Sequence, residues 1–336
     1  MSRRFVRSSS APSPAARITA EIVARLEAGV KPWVRPWRSG APVSRPLRSC
    51  GTPYRGMNVF WLWMVADMCC YASPFWMSYR QAQMLGGQVR KGTKSTIAIF
   101  YKSFSKEVEA ADSGERAEET RRVLKSYAVF NADQVDGLPE RFHPQPSLDQ
   151  LEQPADPAGG REELDRFFAA VPAALRHHGD QAYYEPAIDR ITMPGTELFD
   201  GFDHYYATLA HELSHWTGHG SRLDRDLKHR FGSAAYAAEE LIAELSSAML
   251  GAELGLPVAH LDHHASYIGH WVKLLKDDDR AILTAAARAE EAASLLLRLG
   301  GRAGANNTEP GAETEAEDET GHDTIDHDRA APALAA

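Results

Sequence analysis

The 336-residue sequence has few cysteines and no long apolar run. Its three cysteines, Cys50, Cys69 and Cys70, show no C-x-x-C spacing, which argues against a disulfide framework and against a cysteine-built zinc site. The apolar stretch from Trp61 is broken at Asp67, so it is shorter than the roughly 20 residues that a membrane-spanning helix needs. The basic, Ser-rich N-terminus lacks the apolar core of a secretory signal. We therefore expect a cytoplasmic protein without a membrane partner.

The charge is divided unevenly along the chain. Residues 1–105 contain 16 Lys and Arg against three acidic residues, a net charge of +13 that the overall charge of −9 conceals. A basic segment joined to an acidic one indicates that the first part binds a polyanion. With 43% hydrophobic and 25% charged residues, the composition is typical of folded globular domains, and the length fits two of them.

The order of apolar and turn residues predicts an α+β protein. An N-terminal α+β domain is expected at 15–145 and a mainly helical domain at 161–300. The remaining segments are predicted as a disordered lead at 1–14, a proline-rich linker at 146–160 and an acidic disordered tail at 301–336.

Periodicity predicts the individual elements of each domain. Those of the first domain are a helix at 15–26, helical structure at 76–86, and strands at 96–104 and 125–131 on either side of an exposed polar loop at 106–121. Those of the second domain are a strand pair at 182–193 and helices near 161–178, 202–217, 233–254, 261–275 and 278–299.

The segment His211-Glu212-Leu213-Ser214-His215 has the H-E-x-x-H spacing of zinc peptidases. Residues four apart share one face of a helix, so His211 and His215 can bind one Zn²⁺ ion. Glu212 lies beside that ion rather than on it. A carboxylate in that place can take a proton from water whose pKa the zinc has lowered, so Glu212 is the predicted catalytic base.

A catalytic zinc site also needs a third protein ligand. About 25 residues downstream, the segment AAEELIAELSSAML places Glu240 and Glu244 four residues apart on one helix face. We expect Glu240 to be the third metal ligand. We expect Glu244 to be a carboxylate behind the ligands that orients one of the two histidines.

Two alternatives to this ligand set stay open. His219 competes with Glu240 as third ligand, although Gly218 is expected to end the helix before it. The histidines and glutamates could also be ordinary helix-face residues in ion pairs. Glu239 is expected to point away from the site.

Several short phrases of the sequence occur together in one known family. They are PWVRPW at 32–37, YRGMN at 54–58, WMSYRQA at 76–82, GQVRKG at 87–92, VFNADQ at 129–134, HELSHWTGH, EELIAE, SYIGHW and AARAEEAASLLL. In these phrases, spread over about residues 15–300, the chain resembles the ArdC-type antirestriction proteins of plasmids, whose N-terminal domain also occurs in TraC-type primases. The resemblance implies an N-terminal domain that binds single-stranded DNA, a zincin-like metallopeptidase domain, and protection of incoming DNA from restriction.

Aromatic and basic residues alternate in the N-terminal half, as in proteins that stack unpaired bases and follow the phosphates. The predicted DNA-binding residues are Trp33, Trp37, Arg55, Asn58, Arg80, Arg90, Lys91 and Lys94. The glycines at 86, 87 and 92 are expected to let the backbone approach the nucleic acid. Core packing is the alternative for three further tryptophans, Trp61, Trp63 and Trp76, and a solvated basic face without DNA is the alternative for the charges.

Three functions remain open at this point. The first is an antirestriction-type protein that combines single-stranded DNA binding with a zinc site. The second is a single-strand-binding module whose zinc domain is structural or inactive, and the third is a free-standing cytosolic zinc protease. A protein substrate or a restriction enzyme is a further candidate partner.

Overall fold

The computed structural model describes residues 12–33, 45–109, 116–144, 157–227, 233–256 and 267–302, without the side chains of 102–109, 116–122 and 157–159. Helices and small sheets make up the described residues, so the predicted α+β class is confirmed. In these residues no helix is long and apolar enough to cross a bilayer. Most of the predicted lead, linker and tail lies outside them.

Two helices supply many of the buried apolar residues of the N-terminal half. Helix α1 (Pro14–Glu27) begins where the Ser13 hydroxyl accepts a hydrogen bond from the Ala16 amide, with proline in the first turn. Its apolar face is buried, as the predicted helix at 15–26 requires. Helix α2 (Met57–Met68) is apolar around most of its circumference and is buried accordingly.

A four-stranded sheet packs beside these helices, in the order β1-β2-β5-β4. Its strands are β1 (Leu47–Arg48), β2 (Phe75–Met77), β4 (Thr96–Glu109) and β5 (Arg116–Asn131). The short strands β3 (Gln88–Val89) and β6 (Val135–Asp136) pair separately, after helix α3 (Tyr79–Met84). The strands predicted at 96–104 and 125–131 thus belong to the antiparallel β4–β5 pair.

Two predictions for this half were wrong in detail. Residues 75–77 form strand β2, and α3 begins only at Tyr79, because Ser78 and Gln81 form a capping box at that point. The polar segment 106–121 is not a loop throughout, since β4 and β5 stay paired as far as Glu109 opposite Arg116. Ladder hydrogen bonds join backbone groups, so a charged sequence does not prevent them.

The C-terminal half is mainly helical, as predicted. Its elements are α4 (Pro157–Ala170), β7 (Ala174–His177), β8 (Tyr183–Glu185), β9 (Arg190–Met193), α5 (Phe202–Trp216), α6 (Ala234–Leu254), α7 (Ile268–Asp277) and α8 (Ala281–Leu299). The strands form a sheet in the order β7-β9-β8. The helix predicted at 161–178 is shorter than expected, because strand β7 begins at Ala174.

The largest apolar cluster is common to both halves of the chain. Ile18 and Leu26 of α1 lie in the same cluster as Leu245 of α6, Trp271 of α7 and Ile282 of α8, and all five are almost completely buried. The two predicted domains therefore share a core. Their exact boundary, placed between 145 and 161 from the sequence, stays a prediction.

Polar contacts join the halves around this cluster. The Thr19 hydroxyl donates to the carbonyl of Asp279 at 2.7 Å. Arg45, whose side chain is almost completely buried, lies 2.7 Å from carboxylate oxygens of both Glu253 and Glu290. Buried charges need such partners, so these contacts fix how the halves pack together.

Because the core is shared, Ile18→Ala should lower the free energy of unfolding of the whole chain by about 2–5 kcal/mol. Urea unfolding followed by circular dichroism should show one transition at lower denaturant. The control Val30→Ala, at a position that is 44% exposed, should change it by no more than about 0.5 kcal/mol. Two separate unfolding transitions, with the substitution shifting the urea midpoint of only one of them, would show that the halves unfold independently.

Candidate metal centre

Helix α5 carries the H-E-x-x-H segment against a second apolar cluster. Tyr205, Leu209, Leu213 and Trp216 are buried in that cluster. This apolar stripe fixes the rotation of the helix about its axis. As a result, His211, Glu212 and His215 line a cavity on the other side of the helix.

Helix α6 brings Glu240 to the two histidines. The Nε2 atoms of His211 and His215 lie 3.2 Å apart, and the Glu240 carboxylate lies 3.7 Å from the first and 3.6 Å from the second. Two nitrogens bound to one tetrahedral ion at normal bond lengths lie roughly 3.3 Å apart. The two imidazoles and the carboxylate therefore fit a divalent ion such as zinc.

Glu212 faces the same cavity from the position directly after His211. Burial raises the pKa of its carboxyl group, and the neighbouring His211 and His215 counteract part of that shift. A buried carboxylate beside a metal-ligand group is placed to accept a proton.

Glu239 contacts His215 instead of pointing away, which corrects the prediction made for it. Its Oε1 atom lies 3.2 Å from His215 Nδ1. Burial alone would lower the pKa of His215, but the Glu239 hydrogen bond and the charge of Glu240 outweigh it and raise the pKa to about 9. Arg225 holds Glu239 in turn, donating from Nε at 3.0 Å and from Nη2 at 2.8 Å.

Glu244 lies behind the other histidine. Its side chain is completely buried, and its Oε2 atom is 4.0 Å from His211 Nδ1. Each histidine thus has a carboxylate on the side of the ring that faces away from the other ligands. The Glu239–His215 contact is a hydrogen bond, and such bonds set the tautomer and the orientation of metal-binding imidazoles. The Glu244–His211 separation of 4.0 Å is longer than a hydrogen bond.

His219, the alternative third ligand, lies outside this group. Helix α5 ends at Trp216, and the His219 ring bonds locally, with its Nδ1 2.9 Å from the Ser221 hydroxyl. The geometry brings Glu240, and not His219, to the two histidines.

Four tyrosines line the cavity, which has a volume of about 360 Å³. Tyr183 and Tyr184 come from β8, while Tyr236 and Tyr267 face them with their hydroxyl oxygens 3.3 Å apart. Burial raises the pKa of Tyr236, as do its hydrogen bonds to Tyr267 and Glu240. Burial also raises the pKa of Tyr267, so both hydroxyls stay protonated at neutral pH. No sequence pattern had indicated these tyrosines, because they come from separate elements.

The predicted DNA-binding residues are separated by the fold. Trp33 is buried, and its Nε1 donates to Glu244 Oε1 at 3.2 Å, so its ring is not available to a base. Asn58 is also buried, and its amide exchanges two hydrogen bonds with the backbone of Ile99. Both predictions are corrected on these grounds. Arg55 is half-buried, and Trp37 lies outside the described residues.

Four of the predicted basic residues are exposed near α3 and β3: Arg80, Arg90, Lys91 and Lys94. Tyr79, which the sequence had not singled out, is 45% exposed beside them. Gln88 of β3 donates to its hydroxyl at 3.2 Å. Gly87 is needed for internal packing and not for a close approach of DNA to the backbone. A side chain at this position would meet Leu138 and Val135 at 2.7 Å.

Two families of known domains match the chain. Residues 13–130 match the N-terminal domain of anti-restriction factor ArdC. Residues 162–288 match a zincin-like metallopeptidase domain, which contains the cavity and its histidines.

Relatives and solved structures agree with this pair of domains. The protein y4eC of Sinorhizobium fredii (strain NBRC 101917 / NGR234) is 41% identical over 262 residues, 76% of this chain and 82% of that protein. DNA primase TraC of Escherichia coli is 40% identical over 263 residues, which are 74% of this chain but only 23% of that primase.

Two crystal structures of the antirestriction ArdC protein from plasmid R388 cover 86% of this chain and 98% of their own. The metal-free structure is 44% identical with a TM-score of 0.72, and the Mn(II)-bound structure is 43% identical with a TM-score of 0.70. The chain therefore belongs to the ArdC antirestriction family, with an ArdC-type N-terminal domain followed by a zincin-like metallopeptidase domain.

Proposed function

We propose that the chain is an antirestriction protein that binds single-stranded DNA and carries a zinc-dependent metallopeptidase-type site. The observation that supports the metal site best is the convergence of His211, His215 and Glu240 in one cavity. Two imidazoles and one carboxylate are the donor set of many catalytic zinc sites, which leave one position open. The Mn(II)-bound structure of the ArdC protein from plasmid R388 supports the binding of a divalent ion by this chain.

The residues around the cavity are suited to peptide hydrolysis. A divalent ion bound there would lower the pKa of water and polarise a carbonyl group. Glu212 would accept a proton from water at its carboxylate and pass it to the leaving amine nitrogen. The Tyr267 hydroxyl, which accepts a hydrogen bond from Tyr236, would donate its own proton in a hydrogen bond to an oxygen atom of the substrate. Glu239, held by Arg225, would orient the His215 ring.

The surface around α3 and β3 is the proposed site for single-stranded DNA. Arg80, Arg90, Lys91 and Lys94 supply positive charge, and Tyr79 offers an exposed ring on which a base can stack. Arg90 also lies 3.4 Å from Asp136, but both side chains are exposed, so a phosphate can compete for the arginine. Membership of the antirestriction family supports a role for the chain in protecting incoming mobile-element DNA from restriction.

Replacing a metal ligand should remove the metal. His211→Ala, His215→Ala and Glu240→Ala should each lose stoichiometric zinc after gel filtration, measured by mass spectrometry of the metal content, because two ligands do not hold the ion against water. His219→Ala is the matched control and should keep it. If Glu240→Ala kept full zinc while His219→Ala lost it, the proposed third ligand would be incorrect.

The substitution Glu212→Gln should separate metal binding from hydrolysis. The variant keeps the size of the side chain and leaves the ligands in place, so zinc content should stay at the wild-type level. Cleavage of a quenched-fluorescence peptide library should fall by about 10²–10⁴-fold. The exposed Glu162→Gln is the control and should behave like wild type. An equal rate for Glu212→Gln, or no cleavage by the wild-type protein, would contradict the peptidase assignment.

Binding of a fluorescein-labelled oligothymidylate to the full chain should weaken steeply as salt increases. The triple variant Arg80→Gln, Lys91→Gln, Lys94→Gln should reduce the slope of log affinity against log salt by about 0.7 for each phosphate that the protein no longer neutralises. The control Arg176→Gln changes an exposed position on β7 and should leave the slope unchanged. Equal slopes for the triple variant and the control would place the DNA elsewhere.

A further inference from the structure

Glu244 is a charged side chain enclosed in the protein interior. It lies on α6 one turn after Glu240, and no part of its side chain reaches solvent. Its Oε2 atom is 4.0 Å from His211 Nδ1, whereas Glu240 lies on the Nε2 side of the same ring, at 3.7 Å. The carboxylate of Glu244 therefore faces the nitrogen of His211 that would not bind metal.

Two residues of the N-terminal half hold the other oxygen of this carboxylate. Lys31 Nζ lies 3.0 Å from Glu244 Oε1, and Trp33 Nε1 donates to the same oxygen at 3.2 Å. The two residues precede Glu244 by 213 and 211 positions in the sequence. Lys31 brings a compensating charge to a buried carboxylate, and Trp33 brings a donor whose direction is set by a rigid ring.

We infer that the Lys31–Trp33 segment of the N-terminal half belongs to the metal centre, because it positions Glu244 and Glu244 positions His211. The ammonium and indole groups hold Oε1 and so keep Oε2 on the Nδ1 side of His211, at 4.0 Å, just beyond hydrogen-bonding distance. A small shift of either side chain would close a hydrogen bond from Nδ1–H to Oε2, and that bond would select the tautomer in which Nε2 is free to bind metal. Lys31 and Trp33 are thus positioning residues. The inference rests on the proposed metal site.

A purely structural role for the Lys31–Trp33 segment would require only its packing contacts, and not its polar groups. The Trp33 ring packs edge-on against Trp271, with the ring centroids 5.6 Å apart, and this contact needs only an aromatic side chain. Positioning Glu244 needs the indole N–H and the ammonium charge as well. Substitutions that keep the volume and remove the polar group therefore distinguish the two roles.

The test measures zinc affinity of the full-length protein by competition with a fluorescent chelator. Lys31→Met keeps most of the buried stem and removes the charge, and it should weaken zinc binding by about 10–100-fold, the usual effect of losing support behind a ligand. Trp33→Phe keeps an aromatic ring and removes the donor, and it should weaken zinc binding in the same direction. Lys31→Arg restores a charged donor and should return the affinity towards wild type.

The matched control is Lys276→Met. Lys276 also joins the two halves, through an ion pair with Glu27 of α1 at 2.5 Å, but it does not contact Glu244. Zinc affinity of this variant should equal that of wild type. Thermal unfolding of each variant in its metal-free form shows whether a change in affinity accompanies a loss of the fold.

Wild-type zinc affinity in both Trp33→Phe and Lys31→Met would overturn the inference and leave the segment a structural contact. If Lys31→Met does not fold, Trp33→Phe alone decides, with unchanged affinity counting against the inference. Failure of the proposed metal site itself has another signature. In that case His211→Ala would bind zinc as tightly as wild type, whatever the segment variants do.

Discussion

Burial of several carboxylates on one helix is the constraint on which the rest of this structure depends. Helix α6 carries Glu239, Glu240 and Glu244, whose side chains are only 10%, 7% and 0% exposed. Isolated buried charges are too costly to keep, so each of the three needs a partner. The partners come from three different parts of the chain: Arg225 after α5, the histidines on α5, and Lys31 after α1.

This requirement explains why the two halves do not form separate bodies. The apolar face of α1 packs into the cluster that contains residues of α6, α7 and α8. Just after α1, Lys31 and Trp33 contact Glu244 of α6. Packing and charge compensation therefore act in the same place. The half that we propose to bind DNA at α3 and β3 therefore also contributes Lys31 and Trp33 to the surroundings of the proposed metal centre.

Much of the site could be predicted because helical spacing is a local property. The i, i+4 separations of His211 and His215 and of Glu240 and Glu244 place each pair on one face whatever surrounds the helix. The rotation of α6 against α5 is not local, so the contact of Glu239 with His215 could not be foreseen. Trp33 was predicted to bind DNA, and its burial depends on the cluster shared by both halves, which composition does not reveal.

We propose that both halves of the chain build one metal centre. Diffraction from zinc-loaded crystals of the full chain, recorded at the zinc absorption edge, would locate the ion. One anomalous peak should lie between His211, His215 and Glu240, with Glu244 against His211 and still held by Lys31 and Trp33. A peak beside His219, or a Glu244 carboxylate turned away from His211 with Lys31 in solvent, would be incompatible with a shared metal centre.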